Sequence, residues 1–192
     1  MYKKMRRTIN ILSLFFFIVI GAVSCHINDK HNFSFDEQNY QTIDTLVLPF
    51  QFQTSCESSL LFKRPSEQEN QWFDIVYPTM RARIYCSYLP IHGNFRSLNE
   101  DILRFVYRHT VVATQIEKTP YSDLKNNVFG LLFEIDGPVA SPLQFMVTDS
   151  TTHFFRGALY FDDRNADAVP TDSLAQIRAD MEHLIKTLSW RK

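Results

Sequence analysis

The sequence predicts an α+β domain, a single antiparallel sheet of about six strands packed with two amphipathic helices. Three observations predict it. Residues 80–91, MRARIYCSYLPI, alternate between apolar and polar with period two, the mark of a half-buried strand. Two later stretches place apolar residues at helical spacing behind cap-like residues. The other apolar segments are mostly joined by short turns, which connect antiparallel neighbours.

The front of the chain is an address rather than fold. MYKKMRR carries Lys3, Lys4, Arg6 and Arg7 and no acid. An apolar core follows; at about 13 residues it is shorter than the roughly 20 that a membrane-spanning helix needs. With small residues before Cys25, this is the layout of a secretory signal over 1–24. It is similar to a bacterial lipobox, with Ser24 before the cysteine and Ala22 where leucine is usual. Cys25 is therefore the candidate lipid attachment site. Acyl chains stabilise membrane binding by about 0.8 kcal/mol per buried methylene, so two or three hold a protein durably.

Removing 1–24 takes away four of the 20 basic residues and none of the 21 acids, which leaves a formal net charge of −5. That argues against nucleic acid as a partner. Residues 25–43, polar with few aliphatics, read as a tether to the lipid, and 44–192 as one globular domain.

Within the domain, 46–56 reads as a first strand, with Val47, Phe50, Phe52 and Cys56 as its marks and Pro49 placing it at an edge or bulge. KRPSEQENQ is a turn region. WFDIVYP alternates, and Pro78-Thr79 turns it into the next strand as a hairpin. There Ala82, Ile84, Cys86 and Tyr88 take one face, and Arg81, Arg83, Tyr85 and Ser87 the other.

Ser97-Leu98-Asn99-Glu100 reads as a capping box. Leu98, Ile102, Phe105, Val106, His109 and Ala113 behind it predict a helix over about 98–116. His109 on that stripe reads as a buried or rim histidine satisfied by one hydrogen bond. Three strands follow, in NNVFGLLFEIDG, PLQFMVTDS and TTHFFRGALYFDD, the last two forming a hairpin around 149–151. LLFEI and the last strand are apolar on both faces, hence central. Ser173 with Gln176 caps the final helix. Its stripe is Leu174, Ile177, Met181, Leu184 and Leu188, with Arg178, Asp180, Glu182 and Lys186 toward water.

No catalytic or metal-binding motif stands out, and no cofactor is implied. Asp149, Ser150 and His153 sit close together, but at a tight turn such residues bond local backbone. His183, beside the stripe of the last helix, reads as a surface or rim residue. Arg156 interrupts an apolar strand, with Glu134 or Asp149 as candidate ion-pair partners. Arg81, Arg83, Tyr85 and Arg156 form a candidate interaction patch, since Arg and Tyr are enriched in binding hot spots. Cys56 and Cys86 admit a disulfide in an oxidising compartment, and each also suits a small apolar position.

The order of segments WFDIVYPTMRARIYCSYLPI, NEDILRFVYRHTVVA, VFGLLFEIDGPVASPLQFMVTDSTTHFFRGALYF and DSLAQIRADMEHLIKTLSW resembles the gliding-motility lipoprotein GldD family of Bacteroidota. The densest resemblance is in 129–161. It implies an envelope component of gliding and type IX secretion that works through contacts with other envelope proteins and the membrane. No family catalytic residues carry over, so a non-enzyme is expected; only Cys25 carries over. The fold implied is similar to the Mog1/PsbP-like architecture. His26, Ile27 and Asn28 form no dense acidic signal, so the expected location is the periplasmic side of the outer membrane. The alternative is a periplasmic lipoprotein that binds a small ligand or processes an envelope substrate, marked by a deep pocket at His109 or His153.

Overall fold

The computed structural model describes residues 39–63, 69–108, 112–162 and 171–191. The signal segment, Cys25 and His109 lie outside them. The described residues form ten strands and two helices, in the order β1 (Tyr40–Ile43), β2 (Phe50–Ser55), β3 (Ser59–Phe62), β4 (Gln71–Tyr77), β5 (Ala82–Pro90), α1 (Phe95–Tyr107), β6 (Gln115–Asp123), β7 (Val128–Asp136), β8 (Leu143–Thr148), β9 (His153–Phe161), α2 (Thr171–Thr187) and β10 (Ser189–Trp190). The α+β class is as the sequence predicts.

The sheet is larger than expected and has a companion. Seven strands run in the order β3-β4-β5-β9-β8-β7-β6, every neighbour antiparallel, and β1-β2-β10 make a second, small sheet. The additions are at the margins. β3 and β6 are edge strands with few buried residues, and β6 carries Pro120, which an edge tolerates. β1 lies within the span read as tether. It pairs with β2, and the Gln41 carboxamide donates to the carbonyls of Ser55 and Ser58.

One face of the main sheet is covered across its central strands. The β4–β5 hairpin sends Phe73, Ile75, Tyr77, Ala82, Ile84, Cys86 and Tyr88 inward, as the period-two pattern requires. Phe145, Phe155, Leu132 and Leu159 join them from β7, β8 and β9. Over this layer lie α2, through Ile177, Met181 and Leu184, and β2, through Phe50 and Phe52. Burying each of these large apolar side chains contributes about 1.5–3 kcal/mol. Arg178 clamps α2 to the sheet with two bonds to Glu134, at 2.7 and 2.8 Å, and bonds Glu182 within the helix at 2.6 Å. Arg178 is thus tied to the sheet rather than simply solvated, and Glu134 is not the partner of Arg156.

Asp180 is the larger departure. It is 2% exposed, not facing water. Its place follows from helical spacing: it sits three residues after Ile177 and four before Leu184, inside the apolar stripe. Among the described residues no partner meets hydrogen-bond geometry at either oxygen. Burial pushes its pKa up to about 6, opposed by the nearby Tyr77 and Tyr40 hydroxyls, with Glu57 adding to the rise.

Both cap assignments shift. α1 starts at Phe95, so Ser97 is already helical. Asn94 is the N-cap but makes no side-chain cap bond; its side-chain oxygen Oδ1 accepts from the His92 amide instead. Glu100 pairs with Arg96 at 2.8 Å rather than reaching back. α1 also ends at Tyr107, not near 116. The chain has turned into the sheet by Thr114, whose amide donates to Asp136, and the β-branched Thr114 and Ile116 favour that extended course. In α2, which starts at Thr171, Ser173 is the third helical residue and not a cap.

Candidate binding groove

α1 covers only part of the other face of the main sheet. Ile102 and Val106 on its underside pack on Phe133, Ile135, Met146 and Phe154. This cluster draws on β7, β8 and one end of β9. The β5 side is left open, and between it and α1 runs a groove of about 580 Å³.

The groove follows from the strand register. Tyr85, Ala158 and Gln144 stand side by side across β5, β9 and β8, and Ser87, Arg156 and Met146 form the next row. The first row has a small residue at its centre and the second a small residue at one end, which leaves depth. Tyr85 and Tyr160, in edge contact at 5.4 Å, wall one side. Ile102, Phe105 and Arg108 of α1 wall the other. Gly157 lines it through β9; a Cβ there would lie 2.4 Å from the Phe145 ring, so the closeness of β9 to the core beneath requires glycine.

Arg156 supplies the charge. Its guanidinium carbon lies 4.8 Å from the centre of the Phe105 ring. No ion pair to Arg156 occurs among the described residues, although an ion pair was expected from the sequence. Asp149 is held by its own turn, and Glu134 by Arg178. Burial lowers the guanidinium's pKa while Asp101 opposes this; Asp101 itself pairs with Arg104 at 2.9 Å. An arginine stays charged in proteins.

The four residues of the candidate patch are thus divided. Tyr85 and Arg156 meet in the groove. Arg83 stands beside Tyr85, its guanidinium 5.8 Å from the ring centre, and is bound to buried Asp74 at 3.0 Å. Lys63 also pairs with Asp74, at 3.0 Å, and lies 4.8 Å over the Tyr85 ring. Arg81 is not on the strand face: it sits in the turn before β5 with φ of +49° and does not line the groove. Phe105, Gln144 and Tyr160 were not singled out from the sequence. Phe105 read as buried stripe, yet it is 40% exposed.

The remaining candidates have local roles. Neither Cys56 nor Cys86 is in a disulfide. Cys86 points into the core from mid-β5, between Phe73 and Gly157 in register, while Cys56 follows the end of β2. Asp149 Oδ1 accepts the backbone amides of Thr151, Thr152 and His153 at 3.0, 2.8 and 2.8 Å, which is turn chemistry. His153 Nδ1 bonds the Tyr88 hydroxyl at 2.9 Å and stacks on Trp190; burial lowers its pKa against the pull of Asp149. His183 bonds Gln53 at 2.7 Å and stacks on Tyr40. Neither histidine lines the groove, and no His/Cys/Asp/Glu cluster fit for a metal occurs among the described residues.

A family model described as gliding motility lipoprotein GldD matches residues 24–190, most of the chain and nearly all of the described fold. The chain belongs to the gliding motility lipoprotein GldD family. No curated protein matches. Among solved structures, the solution structure of cyanobacterial PsbP (CyanoP) from Synechocystis is similar at 7% identity, covering 80% of this chain and 94% of that one, with a TM-score of 0.49. Membership in the GldD family makes this a gliding-motility lipoprotein, anchored at the cell envelope. Among the described residues no helix is long and apolar enough to cross a membrane.

Proposed function

We propose that this GldD-family protein is a non-catalytic subunit of the gliding and type IX secretion machinery that works by holding other envelope proteins. The observation that carries the reading is the groove. An open, aromatic-walled trough with an arginine at its floor has the residue types that dominate protein–protein hot spots. Acyl chains on Cys25 would fix the domain at the periplasmic side of the outer membrane, with the segment before β1 as tether.

A volume of about 580 Å³ also lies within the range of small-ligand sites. That favours the ligand-binding alternative only in size, because His153 lies elsewhere.

The test is capture of the tagged full-length protein from cross-linked membranes, beside Cys25→Ala. Secretion or gliding components recovered with the parent and lost in the variant are the expected result. Good expression with no recovered component would overturn the reading.

A further inference from the structure

We propose that the groove between α1 and β5/β9 docks an acidic peptide segment of a partner protein, one carboxylate seating on Arg156 and an apolar neighbour lying between Phe105 and Tyr160. The inference rests on the protein-contact reading above and names what the contact recognises.

Charge complementarity selects the occupant. Among the described residues the groove's lining holds Arg156 and Arg108 and no acid. Arg83, just outside, and Lys63 share the single carboxylate of Asp74. Among the described residues Arg156 has no ion pair: the Phe105 ring lies against it and attracts the cation without neutralising it, and Asp101, which acts on it from a distance, is paired with Arg104. A guanidinium presents a rigid fork of donors that fits a carboxylate through two parallel bonds. Ser87, opposite Arg156 in register, and Gln144, one row away, bring further polar groups to the same floor. Gln144 is only 5% exposed. The aromatic walls require an apolar body beside the anion, as an amino-acid side chain supplies and a bare inorganic anion does not.

Two of the tether's three acids are poor occupants. Those nearest the domain are Asp36 and Glu37, and β1, which the tether enters, belongs to the small sheet on the opposite face. Asp36 lies three residues before Asn39, a reach of about 10 Å at full extension. That is only about the spacing of two stacked sheets, and the groove lies beyond the second one.

The experiment places a photoreactive benzoylphenylalanine at Tyr160, in the groove, and separately at exposed Leu124, outside it. Both are made in the full-length lipidated chain, irradiated in membranes, and the cross-linked peptides sequenced. The expected adduct at Tyr160 is a peptide of another protein with Asp or Glu within two residues of the linked site. Its yield should fall at least tenfold in Arg156→Gln, with an unchanged melting temperature showing that the variant is folded. An adduct without a nearby acid, one insensitive to Arg156→Gln, or one mapping to this chain would overturn the proposal. Adducts at Leu124 but none at Tyr160 would overturn it and leave the protein-contact reading standing. No protein adduct at either position, with no partner captured from cross-linked membranes, would remove both.

Discussion

Arg83 and Asp74 are bonded at 3.0 Å across the β4–β5 pair, on the outer face of the main sheet. Asp74 stands opposite Tyr85 in register, so Arg83 reaches it diagonally. The carboxylate is almost wholly buried and Lys63 shares it. The two arginines of this face that the sequence put in one candidate patch therefore differ: Arg83 holds the fold, and Arg156 does not. Arg83→Ala strips one of two counter-charges from buried Asp74 and should cost about 1–2 kcal/mol, below the full penalty for an unpaired buried charge because Lys63 remains. Arg156→Ala removes no ion pair and should stay within about 0.5 kcal/mol of the parent. Urea unfolding of the two variants checks the order; equal losses would contradict the division.

The β8–β9 turn depends on Asp149. Three backbone amides converge on one of its oxygens, and the Thr151 hydroxyl donates to the other at 3.1 Å. Burial alone would raise its pKa, but the amides of His153, Thr152 and Thr151 outweigh that, and the net shift is downward. A lowered native pKa means stability that is present above the ordinary carboxylate range and lost as pH falls through the native value. Asp149→Ala should cost about 2 kcal/mol at pH 7, at the upper end for loss of a capping side chain. The loss should shrink as the parent is acidified. A uniform loss at every pH would show that the charge is not what the turn uses.

Gly157 sits where the groove floor meets the core. An added Cβ would lie 2.4 and 2.8 Å from two Phe145 ring carbons and 2.9 Å from Ile84. A buried ring in a packed core cannot swing away freely. Gly157→Ala should destabilise by about 1–3 kcal/mol, the usual range for overpacking. Gly157→Ala in a Phe145→Leu background should recover part of that loss, since it makes room where the Cβ would go. Thermal unfolding of the single and double variants measures the recovery, and none at all would place the strain elsewhere.

Elements whose residues carry their own pattern were legible. β5 alternates strictly because one face is core and the other is not, and the β8–β9 hairpin announces itself through turn residues between apolar runs. β6 was not legible, since an edge strand half in water needs no alternation: Gln115, Glu117 and Lys118 look like helix surface. The capping box at Ser97 failed because the helix already begins at Phe95, so Ser97 sits inside it and Glu100 pairs with Arg96. Arg156 and Tyr85 stood out as polar breaks in strands. Their meeting with Phe105 did not, because it depends on where α1 settles on the sheet. Buried Phe133 and Met146, far along the chain from α1, decide that.

Asp180 was misread for a related reason: its charge suggested water, while its spacing from Ile177 and Leu184 placed it in the stripe. The misreading has a measurable consequence. Its pKa rises from an ordinary 3.8 to about 6, so the folded state holds this proton more tightly than the unfolded one. Stability from that proton is complete below about 3.8 and lost as pH rises through about 6. The gap corresponds to on the order of 3 kcal/mol. This is opposite in sign to Asp149, so the parent's own pH profile mixes the two. The difference between Asp180→Asn and the parent isolates one of them. Asparagine cannot ionise, and the Tyr77 and Tyr40 hydroxyls lie near to bond it. The variant should match the parent near pH 4 and exceed it by up to about 3 kcal/mol at pH 7 in urea unfolding. A difference that stays flat from pH 4 to 7 would mean that the carboxyl titrates as an ordinary one, despite its burial.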